Sequence, residues 1–301
     1  MTFSSYRGRF APSPTGHLHF GSLVAALGSC LEARVRGGEW LLRMEDVDAP
    51  RTVPGAADAI LRSLDAHGFG WDGPVLWQSQ RLEAYAEALE QLKRDGHAYP
   101  CGCTRKEISE AGGGPSIDGA PRYPGTCRFG LPPGRSARAW RLRVPDREVA
   151  FVDGLQGRVG HNLERDVGDF VLLRADGQFA YQLAVVADDA FQGITHVLRG
   201  ADLLDSTPRQ IWLQQCLGLP TPDYVHLPVA TNGAGEKLSK QTRAPALDDT
   251  RPVPALFRAL SFLGQEPPEA LLLGDRQEIW AWAMAHWSLA RVARSRAIPS
   301  L

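Results

Sequence analysis

The sequence predicts an α/β protein: a parallel sheet interrupted by an inserted cysteine-bearing module and followed by a short helical C-terminal region. Three observations carry that prediction. Residues 7–96 alternate short apolar runs with amphipathic stretches of helical period. Between 97 and 145 this pattern gives way to three cysteines, a Gly/Pro-rich stretch and a run of arginines. Alternation resumes from 170 to 217, and 252–301 read as mostly helical.

Taken in order, residues 7–11 form a short strand entering a Pro/Gly turn. The helix after it carries Leu23, Val24, Leu27, Cys30 and Leu31 at helical spacing and stops at Gly37-Gly38. Residues 40–44 read as a buried strand with Glu45-Asp46-Val47-Asp48 at its carboxyl end. A helix follows Thr52, with Ile60, Leu61 and Leu64 on one face. Another starts at Ser79, a candidate N-cap, and runs through Leu82, Tyr85, Leu89 and Leu92 to Gly96. Past the insert, 170–173, 179–186 and 194–198 are apolar runs, the second readable as strand or helix. A helix spans about 206–217, and a last one spans 278–294. The expected division is a first half-sheet at 1–96, an inserted module at 97–190, a second half-sheet at 191–245 and a helical region at 246–301, with no further domain expected. Ligands of such a sheet bind at the carboxyl ends of its strands.

Composition narrows the function classes. The 301 residues carry a net charge of −1, which argues against a strongly basic DNA-coating protein. No signal sequence or apolar run of membrane-spanning length is present, and the odd set of five cysteines does not suggest a disulfide framework. A reduced, cytoplasmic monomer with no membrane partner is expected. Charge is uneven: residues 121–147 hold seven arginines (Arg122, Arg128, Arg135, Arg138, Arg141, Arg143, Arg147) against one acid, Asp146. Such a run is either a solvated loop or a phosphate-binding surface. Of 33 basic residues only four are lysines, and two of these, Lys237 and Lys240, stand three apart in Glu236-Lys237-Leu238-Ser239-Lys240-Gln241. A compact ammonium is suited to act as a mobile point charge on phosphate.

Four constellations carry chemistry. The turn Pro12-Ser13-Pro14-Thr15-Gly16-His17-Leu18-His19-Phe20-Gly21-Ser22 opens a helix, whose free N–H groups and positive dipole end suit a phosphate. Glu45 and its neighbours at a strand end suit an ammonium group or a magnesium ion. Arg199, also at a strand end, suits bidentate recognition of a carboxylate. Cys101-Gly102-Cys103 with Cys127 favours zinc in a reduced compartment, and the fourth ligand is open among Tyr123, Asp118, His97 and water.

In combination these strings resemble the class I aminoacyl-tRNA synthetases. Arg9-Phe10-Ala11-Pro12-Ser13-Pro14-Thr15-Gly16 with Leu18-His19-Phe20-Gly21 is similar to the start of glutamyl-tRNA synthetase catalytic domains, and His19-Phe20-Gly21-Ser22 to their HIGH signature with Ser22 in the last place. Lys237-Leu238-Ser239-Lys240-Gln241 is similar to KMSKS, Arg43-Met44-Glu45-Asp46-Val47-Asp48 to the family's R-[IM]-E-D-x-D, and the segments 179–189 and 194–202 to its glutamate pocket, with Ala201 where an acid is usual. The resemblance implies a Rossmann-type sheet and activation of L-glutamate by ATP with magnesium. It implies ATP binding by Thr15, His17, His19, Gly21, Lys237, Ser239 and Lys240, with His19 and Lys240 catalytic. It implies glutamate binding by Arg9, Ala11, Ser13, Glu45, Tyr181 and Arg199. Phe129 stands where the long enzymes place a zinc-binding histidine; Cys101, Cys103, Tyr123 and Cys127 instead resemble the single structural zinc site of the short glutamyl-queuosine tRNA(Asp) synthetases. Those enzymes transfer glutamate to queuosine in the anticodon stem-loop of tRNA(Asp). Three rival readings are a truncated conventional glutamyl- or glutaminyl-tRNA synthetase, a small-molecule adenylate-forming ligase, and a non-catalytic zinc- and RNA-binding module.

Overall fold

The computed structural model describes residues 6–232, 237 and 245–300. Its elements run in chain order as β1 (Arg7–Phe10), α1 (Phe20–Val35), β2 (Glu39–Met44), α2 (Ala56–Ala66), β3 (Leu76–Trp77), α3 (Leu82–Arg94), β4 (Ala98–Cys101) and α4 (Arg105–Glu110). There follow β5 (Ala139–Leu142), β6 (Glu148–Asp153), β7 (Gly157–Asn162), α5 (Leu163–Asp166), β8 (Val171–Leu173), α6 (Tyr181–Phe191), β9 (His196–Gly200) and α7 (Thr207–Leu217). The chain closes with β10 (Asp223–Leu227), β11 (Val229–Thr231), α8 (Pro252–Phe262), α9 (Arg276–His286) and β12 (Ala297–Pro299).

The expected parallel sheet is present. β1 pairs with β2, β2 with β3, and β9 with β10, all parallel. The β9–β10 pair abuts β1 where the Thr195 N–H donates to the Arg7 carbonyl (3.0 Å). Helix α1 is buried on nearly every face because it lies between this sheet and the C-terminal helices, which is why its apolar residues are not confined to one stripe. Gly37 ends it in a left-handed conformation (φ +64°) that a side chain would oppose. Gly28 lets the helix approach the strand ends: a Cβ there would stand 2.7 Å from Leu227 Cδ1. Leu23, Leu27, Leu31, Trp40, Leu42, Ile60 and Leu64 form a first core with Leu256, Leu260, Ile279 and Trp287. The Trp287 indole N–H donates to Glu32 (2.7 Å), giving the C-terminal segment a polar anchor inside that core.

Residues 98–173 build a different arrangement. β4, β5 and β8 form an antiparallel sheet, and β6 and β7 form a hairpin. The run at 170–173, expected to resume the parallel pattern, therefore belongs to an antiparallel sheet. A second core joins it to α3, α6 and α7 through Tyr85, Leu89, Leu142, Leu172, Leu183, Val186 and Ile211. The apolar run at 179–186 is resolved as the start of helix α6.

Three boundaries depart from expectation. Ser79 is not an N-cap: it lies in a 3₁₀ turn and gives both its N–H and its hydroxyl to Asp46, so α3 begins at Leu82. The helix after Thr52 begins at Ala56, behind Gly55 in a left-handed conformation (φ +76°). The last helix ends at His286 rather than 294, because Trp287 turns out of helical geometry (ψ 128°) into the first core. Strand β12, parallel to β11, follows it.

Candidate active site

The carboxyl ends of β1, β2, β9 and β10 open into one cleft of about 650 Å³. Of the residues the motifs singled out, Arg9, Ala11, Ser13, Thr15, His19, Gly21, Glu45, Tyr181, Arg199 and Lys237 all line it. His17 does not. Leu18 takes the buried position in the turn and His17 is exposed beside the cleft's lining. Ser239 and Lys240 lie outside the described residues. The chain on either side of them is fastened at the cleft: Lys237 Nζ pairs with Asp202 (2.5 Å), and Ala246 bridges His19 while the Leu247 N–H donates to the Leu18 carbonyl.

At one end of the cleft is the N-terminus of α1. His19 is its N-cap, in extended geometry, and His19 Nδ1 accepts from the Ser22 N–H (3.3 Å). Nδ1 is thereby fixed as the lone-pair nitrogen and Nε2 as the one carrying hydrogen, the tautomer whose Nε2–H donates to an anion. The helix dipole favours negative charge at the same place.

At the other end is Arg199, 5 % exposed. Its Nε donates to His226 Nε2 (3.0 Å), and its Nη2 donates to Thr207 Oγ1 (2.9 Å), Gln210 Oε1 (2.8 Å) and, at longer range, the Leu203 carbonyl (3.4 Å). None of these acceptors carries a charge. Nη1 is buried with no partner, and among the described residues Arg199 forms no ion pair. A buried guanidinium without a counter-ion costs several kcal/mol unless an anion is supplied, and because Arg199 lines the cleft its free nitrogen can accept an anionic group there.

Glu45 lines the same cleft. Among the described residues its one ion pair is with Arg43, at a long 3.5 Å. Burial pushes its carboxyl above the usual carboxylate range, against the pull of Arg43 and Arg9. An ammonium group docked there would relieve that cost. Tyr181 caps the cleft from the first turn of α6. Burial, with Glu45 nearby, pushes its phenol up to about 12, so it stays protonated as a hydrogen-bond donor.

Beneath these residues lies a charge network whose pairings the motifs did not reveal. Asp189 accepts from Arg9 (3.0 and 3.4 Å) and pairs with the fully buried Arg43 (2.8 Å). Burial would raise its carboxyl, yet Arg9 and then Arg43 hold it below the usual range. Arg9 thus commits Nε and one hydrogen of Nη2 to Asp189, which leaves chiefly Nη1 to meet a ligand. The adjacent Asp188 accepts from Gln78, Arg81 and Tyr85 (2.6–2.9 Å), tying α6 to α3. Two acids in an otherwise apolar helix were the available signal.

Apart from the cleft, Cys101, Cys103 and Cys127 converge, with Sγ atoms all within 4.8 Å and Cys103–Cys127 at 3.7 Å. The Tyr123 hydroxyl is 3.3 Å from Cys101 Sγ and 3.8 Å from Cys103 Sγ. A tetrahedral site with Zn–S bonds of about 2.3 Å has sulfur–sulfur edges of about 3.8 Å, so this donor set fits zinc. Asp118 and His97 are elsewhere: Asp118 pairs with Arg209, and His97 packs on Trp212.

The arginine run is largely occupied within the protein. Arg122, Arg128, Arg141 and Arg143 donate to backbone carbonyls, Arg128 also pairs with Asp169, and Arg135 pairs with Glu107. An arginine has five donors, and this loop-rich segment has few strands to satisfy its carbonyls, so the cations cross-link it. Arg138 and Arg147 remain exposed, as does Phe129 (95 %).

Comparison with known proteins agrees with this geometry. Residues 5–280 match the family model "tRNA synthetases class I (E and Q), catalytic domain". The chain is 68 % identical over 295 residues to the glutamyl-Q tRNA(Asp) synthetase of Dechloromonas aromatica, covering 98 % of each. It is 60 % identical over 292 residues to that of Chromobacterium violaceum, covering 97 % of each. Among solved structures it resembles a glutamate tRNA ligase from Elizabethkingia meningosepticum in complex with its amino acid. That match has a TM-score of 0.81 and 26 % identity, and covers 99 % of this chain and 67 % of the other. No helix of the described residues is long and apolar enough to cross a membrane. The chain belongs to the class I glutamyl- and glutaminyl-type tRNA synthetases and, within them, to the glutamyl-Q tRNA(Asp) synthetase family.

Proposed function

We propose that this enzyme activates L-glutamate with ATP and transfers the glutamyl group to queuosine in the anticodon stem-loop of tRNA(Asp). The observation that carries the amino-acid choice is the unpartnered Nη1 of Arg199, a residue that lines the same cleft as Glu45. A cation site and an anion site at opposite ends fit an amino acid with an anionic side chain: Arg199, with the remaining nitrogen of Arg9, takes the γ-carboxylate, and Glu45 and Tyr181 take the α-ammonium. The α-carboxylate is then left toward the N-terminus of α1.

There it attacks the α-phosphorus of ATP; the new C–O–P bond gives glutamyl-adenylate and the bond to pyrophosphate breaks. ATP enters as its magnesium complex, and the metal neutralises phosphate charge. His19 Nε2–H, the α1 N–H groups and Lys237, with Lys240 from the adjoining loop, stabilise the negative charge that builds on the phosphate oxygens. A ring hydroxyl of queuosine then attacks the acyl carbon, and AMP leaves with the electron pair of the anhydride bond. One zinc ion held by Cys101, Cys103, Cys127 and Tyr123 supplies folding energy to the antiparallel module. That module grips the RNA through exposed residues: Arg138 and Arg147, the latter also bonded to Gln215 and lying over Trp212, meet phosphates, and Phe129 meets an unstacked base.

Three measurements test this reading. Wild-type protein is expected to catalyse glutamate-dependent ATP–pyrophosphate exchange without tRNA. Arg199→Leu is expected to abolish the preference for glutamate over glutamine, a loss of about 10²-fold or more given an unpaired buried group; an undiminished preference removes Arg199 from the pocket.

Labelled glutamate is expected to appear on queuosine-containing tRNA(Asp) and not on tRNA(Glu). Label on tRNA(Glu) alone makes the chain a conventional 3′-end synthetase. Arg138→Ala with Arg147→Ala is expected to weaken tRNA binding and flatten its salt dependence while exchange is unchanged.

Elemental analysis of protein purified without added metal is expected to give close to one zinc per chain. Cys127→Ser is expected to lower both zinc content and melting temperature; full occupancy in that variant would exclude the cysteine cluster as the site.

A further inference from the structure

Three buried residues connect the β6–β7 hairpin to the specificity pocket. His226, on β10, and Asp153, at the end of β6, both have fully buried side chains. His226 Nδ1 lies 2.6 Å from Asp153 Oδ2, and His226 Nε2 lies 3.0 Å from Arg199 Nε. Arg199 Nε always carries hydrogen, so Nε2 must be the lone-pair nitrogen and Nδ1 must donate to Asp153. The other oxygen of Asp153 accepts the N–H groups of Leu155, Gln156 and His226 itself (2.9–3.2 Å), which leaves the carboxylate no rotational freedom. Tyr224 and Phe151 pack their rings against the imidazole.

We propose that Asp153 and His226 are positioning residues for Arg199, fixing its guanidinium through Nε and leaving Nη1 and the charge for the substrate. The inference rests on the functional reading above and deepens it. Had Asp153 touched Arg199 directly, the guanidinium would already have its anion, and a substrate carboxylate would gain little over an amide. The intervening imidazole separates the two tasks. It gives Nε a neutral acceptor, while the carboxylate one ring away selects the tautomer, as an aspartate behind a metal-binding or catalytic histidine does. Thr207 and Gln210 play the same neutral part at Nη2, and Gln210 is itself oriented by donating to Gln182 (2.9 Å). Burial, reinforced by the Arg199 charge and only partly countered by Asp153, presses His226 down to about 4, so it remains uncharged at neutral pH.

Asp153→Asn tests this with almost no change of shape. The asparagine accepts the N–H groups of residues 155, 156 and 226 through its oxygen and presents an amide donor to His226 Nδ1. That turns the ring to the Nε2–H tautomer, whose hydrogen opposes Arg199 Nε–H. KM for glutamate in pyrophosphate exchange is expected to rise about ten- to hundredfold, the usual range for losing an orienting partner. Expected alongside are a kcat within about threefold of wild type and a glutamate-over-glutamine preference reduced in proportion to the rise in KM. A folded Asp153→Asn protein with unchanged KM and preference overturns the proposal. The histidine ¹⁵N spectrum of the wild-type protein decides independently of how the variant folds, with His226→Gln assigning the signal. A neutral Nδ1–H tautomer at pH 7 supports the proposal, and an Nε2–H tautomer or an imidazolium overturns it. Absence of glutamate-dependent exchange in the wild-type protein would instead count against the functional reading, and the tautomer would still report on the relay.

Discussion

A single buried cation organises this molecule. Arg199 sits at the carboxyl end of β9 with its charge inside the protein, and every group it touches there is neutral. Burying a guanidinium without a counter-ion costs stability. The surrounding structure offsets that cost only in part, through directed hydrogen bonds on Nε and Nη2. The remaining nitrogen is the term that a ligand must satisfy. This arrangement exchanges stability of the empty protein for selectivity, because the largest gain comes from a ligand that brings a carboxylate. An amide of the same shape offers one acceptor and no charge.

The contrast with the arginines that meet the acids of α6 sharpens the point. Arg9 and Arg43 share Asp189, and Arg81 pairs with Asp188, so these cations are neutralised inside the fold. They brace β1, β2 and α3 against α6 and hold the walls of the cleft in register. Among the cleft's cations, charge is compensated where position matters and left open where recognition matters. The cleft itself follows from topology: parallel strands bring their carboxyl ends to one edge, and α1 begins there with its N–H groups exposed.

Much of the site was legible in the sequence because its parts are local strings. The turn before α1, Glu45 behind β2, Tyr181 opening α6, Arg199 closing β9 and the cysteine spacing each announce themselves within a few residues. What was not legible depends on pairings across long separations. His226 meets Asp153 across 73 positions, and Asp189 meets Arg9 across 180. Neither acid has a neighbour in sequence that hints at its partner. The arginine run stays ambiguous in sequence for a related reason: composition counts cations, whereas it is the folded chain that decides that most of them cross-link their own loops. Ser79 has the residue type of an N-cap, but Asp46 captures both its donors. Strand β12 has three residues, including Pro299, and no alternation to detect. It exists because β11 offers an edge.

The central claim is that the cleft reads an amino acid by its two ends, cation to carboxylate and carboxylate to ammonium. A crystal structure of the protein grown with L-glutamate tests it most directly. The account predicts the γ-carboxylate within about 3 Å of Arg199 Nη1, the ammonium at Glu45 and Tyr181, and the α-carboxylate turned toward the start of α1. Glutamate bound in the reverse sense, or Arg199 found paired with a protein carboxylate, would contradict it.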